Sequence, residues 1–244
     1  MRGDLDRADS TLHEFWRLAR DMNQERQYIA SYMGASAKIA SARGRPEVAV
    51  ESFSQLVSLP KSIDGFQAGL AVAYQLAGDH EQARHHYEQL MAIGVDKIAH
   101  DLTRVHTLCY VASVCASLDD VDRAELIDDQ LQRYSDLWVV SGANSYGPVR
   151  HFRARLDALR GRHEEAGAGF ADASRRCQAM EAPLLEAWNQ VAWSGFLFSA
   201  GDLPRSRELA EEAEAVAVRL GAGGIETAAR AQLLDIDAHQ PKRP

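Results

Sequence analysis

Residues 65–94, GFQAGLAVAYQLAGDHEQARHHYEQLMAIG, contain the pattern that decides the fold of this chain. Apolar residues recur at helical spacing on both sides of Gly78: Leu70, Ala71 and Tyr74 precede it, and Ala83, Tyr87 and Leu90 follow it. Glycine permits a left-handed end to the first helix, and Asp79 can cap the second. The stretch therefore predicts two helices that cross at small side chains and are joined by a tight turn.

The same skeleton occurs in four other segments. Each has a small residue on its first helix, a turn position, a small residue five positions later and, in most copies, further apolar or small residues at helical spacing. The segments are Ala37, Gly44, Ala49, Phe53 and Leu56; Val111, Ala112, Asp119, Ala124 and Leu131; Ala154, Gly161, Ala166, Phe170 and Ala173; and Ser194, Gly201, Ser206, Ala210 and Ala213. Each helix pair leaves an apolar face that only a neighbouring pair can cover, so the pairs are expected to stack.

This frame resembles the tetratricopeptide repeat, although only the first interval between turn positions, from 44 to 78, has the standard length of 34 residues. The resemblance implies an all-α fold, a right-handed α-α superhelix of about six helix pairs, in a single domain over residues 1–244. We expect helices at about 5–22, 25–43, 46–58, 63–77, 80–93, 102–117, 120–134, 146–160, 162–180, 183–200, 203–219 and 223–237. Residues 135–148, SDLWVVSGANSYGP, are expected to form an irregular loop whose apolar tip packs on the stack, or alternatively a lid.

Composition and charge exclude several classes of protein. Only 7% of the residues are aromatic, and strong helix formers dominate, which disfavours a β-rich fold. The net charge of -8 opposes binding to nucleic acid or anionic lipid. The three cysteines, Cys109, Cys115 and Cys177, lack paired-ligand spacing, and there is neither a signal sequence nor an apolar run of about 18 residues. We therefore expect a cytoplasmic protein without membrane or direct nucleic-acid partners.

Longer phrases resemble one group of bacterial regulators. They are FQAGLAVAYQLAGDHEQARHHYEQL (66–90), WVVSGANSYGPVRHF (138–152), LRGRHEEAGAGFADASRRCQAM (159–180) and SAGDLPRSRELAEEAEAVAVRLG (199–221). They look like the C-terminal helical region of MalT-like, LuxR-type ATP-dependent transcriptional activators and of ATPase-linked class III adenylate cyclases of actinobacteria. The resemblance covers about residues 10–230. It implies a sensor and scaffold arm of a nucleotide-dependent switch.

Two motifs of the full regulators are missing from this chain. No stretch supplies the GxxxxGK[ST] phosphate-binding loop, and no basic helix-turn-helix follows the last repeat, since the chain ends in AHQPKRP. ATP hydrolysis, cyclase activity and DNA binding are therefore not carried over. We expect the isolated repeat region, either as a fragment or as a stand-alone relative.

The first helix of each pair lines the concave groove in such a stack, and this selects the candidate binding residues. They are Lys38, Gln75, His106, Cys109, His151, Arg155 and Trp188. Polar groups and a cation beside an apolar wall suit a peptide carboxylate or a small polar effector. The alternative is an ordinary groove surface without a dedicated ligand.

His106 and Cys109 are three residues apart, so they share one helix face. A metal site completed by His151, or a nucleophilic cysteine, can be drawn from them. A structural zinc site usually has four ligands in compact pairs, and the sequence identifies no third group that would orient a nucleophile. We expect no enzymatic activity, no metal and no cofactor.

These observations predict a non-catalytic module of a bacterial signalling or transcriptional regulator. It would bind a protein, a peptide or a small effector in its groove. Three alternatives stay open: a stand-alone peptide sensor of the quorum-sensing type, a His/Cys metal-dependent hydrolase, and a scaffold that forms homo-oligomers.

Overall fold

The computed structural model describes residues 3–60, 62–142 and 144–239, so both ends of the predicted domain lie outside the described residues. The described chain is all-α apart from one small hairpin. Its helices are α1 (Leu5–Asp21), α2 (Glu25–Ala42), α3 (Pro46–Val57), α4 (Asp64–Leu76), α5 (His80–Ile93), α6 (Arg104–Ser117), α7 (Val121–Gln132), α8 (Val149–Leu159), α9 (His163–Ala179), α10 (Pro183–Ser199), α11 (Leu203–Leu220) and α12 (Gly223–His239). All the predicted helices are present, and the largest shift in a bound is the later start of α8.

Residues with a left-handed backbone connect the helices of each repeat segment. All five predicted turn positions have positive φ: Gly44 77°, Gly78 79°, Asp119 53°, Gly161 69° and Gly201 86°. Glycine adopts this conformation without a steric penalty, and aspartate tolerates it better than most residues do. Asn23, Glu181 and Gly221 also have positive φ, and they mark further turns that the repeat frame did not include.

Side chains cap the N-termini of helices where the sequence predicts such caps. Asp79 accepts a hydrogen bond from the Gln82 amide at 3.0 Å, and Asp202 accepts one from the Arg205 amide at 3.1 Å. Both carboxylates satisfy amides that have no partner inside the helix, and both favour its positive end. Pro46 occupies the first turn of α3, where its missing N–H is not needed.

Small residues allow the helices to approach closely where they cross. Ala83, Ala124 and Ala166 are completely buried at the equivalent position of their repeat segments. Gly69 leaves room for the Phe53 ring, since an added Cβ would lie 2.4 Å from that ring. Large side chains in their place would force the helices apart.

The helix contacts form a closed circuit. Each helix contacts the next along the chain; in addition α4 contacts α6, α6 contacts α8, α8 contacts α10, and α10 contacts α12. The circuit closes because α12 contacts α2. An added Cβ at Gly224 would lie 2.4 Å from the Ser41 carbonyl oxygen, so only glycine permits this approach. Leu5 of α1 also packs against Ala217 and Ala222, beside the same contact.

Strands β1 (Trp138–Ser141) and β2 (Asn144–Pro148) form an antiparallel hairpin where the sequence predicts an irregular loop over 135–148. Residue 143 lies outside the described residues. Val139 and Tyr146 are buried, whereas Val140 is 62% exposed, so one face of the hairpin packs inward. Val139 and Tyr146 therefore pack on the helices, whereas Leu137 and Val140 of the predicted apolar tip are exposed. The segment forms strands because aromatic and β-branched residues favour extended backbone.

No helix in the described part of the chain has the length and apolarity needed to cross a lipid bilayer.

Candidate binding cavity

A cavity of about 510 Å³ lies inside the circuit of helices. Helices α2, α4, α6, α8, α10 and α12 all contribute side chains to it, while α3 adds Phe53 and β2 adds Tyr146. Its volume falls in the range of small-molecule binding sites. Residues from most of the chain therefore converge on one cavity.

The wall of the cavity is mainly apolar, and it has a mouth. Its apolar side chains include Phe53, Val72, Phe152, Leu185, Val191 and Ile225. Gly44, Leu76, Thr227 and Ala228 also line the cavity, and all four are exposed to solvent. The cavity therefore opens between the α2–α3 turn, the end of α4 and the start of α12.

Two cations from opposite parts of the chain face this apolar space. The Lys38 Nζ atom on α2 lies 4.9 Å from the ring centre of Tyr146 and 5.5 Å from that of Trp188, which permits cation–π attraction. On α8, the Arg155 guanidinium donates to the Ser113 hydroxyl at 3.1 Å and to the Ser113 carbonyl at 3.4 Å. Among the described residues, neither cation is paired with a carboxylate, and no side chain that lines the cavity is acidic.

Burial makes the protonated form of both cations less stable, but both stay mainly protonated at pH 7. It lowers the pKa of Lys38 to about 8 and that of Arg155 to about 10, because the surrounding protein solvates an ammonium or guanidinium less well than water does. Both side chains line the cavity and are partly exposed. At pH 7 the cavity is therefore positive inside a chain whose net charge is -8.

Four of the seven predicted groove residues, Lys38, Gln75, Arg155 and Trp188, line the cavity. The other three, His106, Cys109 and His151, do not line it and are buried in the core. The repeat pattern predicts that the side chains at these positions are exposed in a concave groove. Helix α6 is instead packed by α4, α7, α8 and the hairpin, so that every side chain over 106–115 is buried. This covering by distant elements is the reason for the difference in exposure.

The two buried histidines are neutral neighbours of the cations. His106 lies 4.5 Å from the Tyr110 ring and 4.6 Å from the Tyr146 ring, and neither of its ring nitrogens has a partner among the described residues. Burial, with a smaller effect of the Lys38 charge, lowers its pKa to about 4.

His151 is held in place by hydrogen bonds. Asn189 donates to the Phe170 carbonyl, which leaves its side-chain oxygen to accept from His151 Nδ1 at 2.9 Å. Burial, followed by the Arg155 charge, lowers the pKa of His151 to about 3. The ring also packs on Trp188 at 4.1 Å, so it supports the cavity wall from behind.

The alternative of a catalytic cysteine or a metal site gains no support from this geometry. Cys109 is 1% exposed, and burial raises its pKa well above the ordinary value, which disfavours the reactive thiolate. Within the described residues, no group of three or more His, Cys, Asp or Glu side chains is arranged to hold a metal ion.

Some residues that complete the cavity were not among the groove residues predicted from the repeat pattern. Tyr146 comes from the predicted loop, and Ile225 and Ala228 come from α12, which follows the last repeat segment. The neighbouring glycines Gly223 and Gly224 were the available signal for α12, because two glycines at a helix start permit close backbone contact.

A second depression of about 490 Å³ lies on the outside, between Arg84 and residues 118–123. It is polar, and Arg123 within it already pairs with Glu88 at 2.7 Å and Asp120 at 3.0 Å. The central cavity is therefore the stronger candidate site, because its two cations have no carboxylate partner in the part of the chain that the structure describes.

Neither a protein-family model nor a curated protein matches this chain.

Proposed function

We propose that the chain is a non-catalytic binding module whose ligand occupies the central cavity. One observation carries the proposal: six helices converge on a solvent-accessible space that has apolar walls and two cations without a carboxylate partner among the described residues. Ligand sites typically combine a mainly apolar lining with a few polar groups that orient the ligand. A small effector fits a cavity of about 510 Å³ better than an extended peptide or a protein surface does.

The architecture in this proposal is a right-handed α-α superhelix of the tetratricopeptide type, wound until its last helix meets α2. The left-handed residues at the repeat turns and the small residues at the crossings support it. The order of helix contacts supports it as well. In such a superhelix the concave groove becomes the cavity.

The module would act by sensing, as the resemblance to cytoplasmic MalT-like and cyclase-linked regulators suggests. A ligand that touches six helices favours those helix positions that contact it best, and so shifts the population of conformations. Because each pair in a stacked array contacts its neighbours, a change at the cavity reaches the outer helices, where a protein partner can respond.

Binding of the neutral fluorescent probe N-phenyl-1-naphthylamine tests the proposal. We expect saturable binding of one probe per chain. Val72→Trp and Val191→Trp place an indole in the cavity and should each weaken binding by about tenfold or more, since a loss of about 1.4 kcal/mol is tenfold. Val218→Trp is the matched control, because Val218 is 53% exposed and does not line the cavity.

Circular dichroism melting identifies a cavity variant that fails to fold, in which case the other variant decides. The proposal would be overturned by a folded wild-type protein without saturable binding. It would also be overturned if the folded cavity variants bound the probe as well as Val218→Trp does.

A further inference from the structure

We infer that Lys38 captures aldehydes in the cavity by forming an imine with them, while the aliphatic or aromatic body of the aldehyde lies against the apolar wall. This chemical class of ligand rests on the proposed function of the cavity. The capture is reversible covalent binding and involves no turnover.

Lys38 supplies a primary amine to the cavity. It lines the cavity and is partly exposed. Its Nζ atom lies 4.9 Å from the ring centre of Tyr146 and 5.5 Å from that of Trp188, and both rings line the cavity as well. Among the described residues, no other lysine and no cysteine lines it. The unprotonated amine of Lys38 is therefore the strongest nucleophile in the described lining, where the other candidates are hydroxyl groups.

No acidic group holds this amine in its protonated form. Among the described residues, Lys38 makes ring contacts but no hydrogen bond and no ion pair. Its titratable neighbours are His106 of α6 and His151 of α8, which are both neutral at pH 7, and Tyr146, whose pKa is raised by burial. An ammonium without a counter-charge in apolar surroundings loses its proton more readily than one in water does.

Part of Lys38 is therefore free amine at neutral pH. Its pKa of about 8 leaves about one tenth of the amine unprotonated at pH 7, against about one part in 3,000 at the ordinary value of 10.5. Arg155, the second cation of the cavity, does not offer this chemistry, because a guanidinium with a pKa of about 10 stays protonated and has no free lone pair for attack.

An amine and an aldehyde combine without any further reagent. The lone pair of the Lys38 nitrogen forms a bond to the carbonyl carbon, the π pair of the C=O bond moves to oxygen, and one proton passes from nitrogen to that oxygen. The resulting hydroxyl then leaves with the second nitrogen proton as water, and a C=N bond remains. Addition of water reverses both steps, and nothing is oxidised or reduced.

The wall of the cavity favours an uncharged ligand with an apolar body. Val72, Val191 and Ile225 are among its apolar side chains, and exposed lining residues such as Leu76 and Thr227 mark its mouth. An aliphatic or aromatic body gains by leaving water against such side chains. A neutral carbonyl also loses less than a carboxylate does when it leaves water to reach the amine.

Reductive trapping with octanal and sodium cyanoborohydride tests the inference on the whole chain at pH 7. Reduction converts the imine into a stable secondary amine, which peptide mapping by mass spectrometry locates. The chain has four lysines, at positions 38, 61, 97 and 242, so each can be followed separately. We expect Lys38 to be alkylated about tenfold or more faster than the exposed Lys97, because Lys38 has more free amine at pH 7 than a lysine in water has.

Occupation of the cavity should protect Lys38. Saturating N-phenyl-1-naphthylamine should slow alkylation of Lys38 and leave that of Lys97 unchanged, since Lys97 does not line the cavity. This comparison shows whether the reaction takes place inside the cavity.

The Lys38→Arg variant separates the amine from the charge. It keeps a cation at this position but removes the nucleophile, so the rapid alkylation should disappear. Lys97→Arg is the matched control at an exposed position, and its Lys38 should react as in the wild type. Circular dichroism melting checks the fold of both variants. If Lys38→Arg does not fold, Lys38→Met, which also lacks the amine, decides.

Alkylation of Lys38 no faster than that of Lys97 would overturn the inference. Rapid alkylation that persists in Lys38→Arg, or that bound N-phenyl-1-naphthylamine does not slow, would overturn it as well. In each case, saturable binding of N-phenyl-1-naphthylamine by the wild type would show that the proposed function still stands, so the two failures are distinguishable.

Discussion

Lys38 and His106 are neighbouring side chains, and the positive charge of Lys38 disfavours a positive charge on His106. The Lys38 ammonium is one reason why His106 is neutral, and burial is the larger reason. Burial alone lowers the pKa of Lys38. Both residues therefore make the stability of the protein depend on pH, but in different pH ranges.

Replacing Lys38 should stabilise the ligand-free protein near neutral pH. The pKa of Lys38 is about 8 in the folded state and 10.5 ordinarily, so below pH 8 the folded protein carries the whole penalty of a poorly solvated charge. Between pH 8 and 10.5 the folded state loses its proton first, and the wild type recovers stability as pH rises. We expect Lys38→Met to unfold at higher urea concentration than the wild type at pH 7, with a smaller difference at pH 10.

The exposed Lys97→Met variant is the control for that comparison. The difference in urea midpoint between this variant and the wild type should not shrink from pH 7 to pH 10. A stabilisation of Lys38→Met that stays constant from pH 7 to pH 10 would contradict the prediction.

Replacing His106 should remove part of the acid sensitivity. His106 has a pKa of about 4 in the folded state and 6.5 ordinarily, so the unfolded state binds more protons between these values. Its contribution to stability is complete above pH 6.5 and is lost as pH falls toward 4. His106→Phe should lose less stability than the wild type over this range, as measured by thermal melting.

At pH 7 the His106→Phe variant should be as stable as the wild type or about 1 kcal/mol more stable. The reason is that a ring without polar atoms replaces two buried nitrogens that have no partner among the described residues. His80→Phe, at an exposed position, serves as control. Identical acid melting of the wild type and His106→Phe would refute this account.

The start of α7 combines a helix cap with a contact between helices. Asp120 accepts from the Arg123 amide at 3.3 Å, and its second oxygen accepts from the buried Tyr87 hydroxyl of α5 at 2.9 Å. Tyr87 is completely buried, so its hydroxyl needs partners inside the protein, and Asp120 is one of them. One carboxylate thus joins the start of one helix to the preceding pair.

Asp120→Ala should therefore cost more than the loss of an ordinary cap. We expect a destabilisation of about 3 kcal/mol, from a lost cap of about 1 kcal/mol and an unsatisfied buried hydroxyl. Asp79→Ala, which removes an exposed cap without such a contact, should cost only about 1 kcal/mol. Urea denaturation of both variants measures the difference, and equal losses would mean that the Tyr87 contact contributes nothing.

The contact between α12 and α2 determines the shape of the cavity, because the mouth of the cavity lies at that contact. Gly44 and Ala228, from the two sides of the closure, both line the mouth. The apolar cluster of Leu5, Ala217 and Ala222 packs beside it. The shape of the cavity therefore depends on a contact between helices from opposite parts of the described chain.

Gly224→Ala should loosen this closure. The added methyl would lie 2.4 Å from the Ser41 carbonyl oxygen, and the backbone has to move to relieve the clash. We expect a loss of about 1–3 kcal/mol in thermal unfolding and weaker binding of N-phenyl-1-naphthylamine. Gly167→Ala, inside α9 with only a ring edge at 4.0 Å, should instead stabilise the protein by about 0.5–1 kcal/mol. If Gly224→Ala leaves both thermal unfolding and probe binding unchanged, the contact between α12 and α2 is not tight.

Much of the fold depends on local signals and was therefore predictable from the sequence. The turns at Gly44, Gly78 and Asp119 follow from backbone preference, and the caps at Asp79 and Asp202 follow from side chains three residues away from their amides. Such features need no knowledge of distant parts of the chain. The hairpin was missed because its aromatic and glycine residues read equally well as an irregular loop.

The sequence by itself determined the helices, their turns and the small residues at their crossings, because these follow from the spacing of neighbouring residues. Only the tertiary structure decided that α12 meets α2, that His106 and His151 are buried, and that Lys38 and Arg155 share one cavity. Those outcomes depend on how helices that are far apart in the sequence pack against one another. Such packing leaves no mark in local sequence, but it determines which distant residues meet.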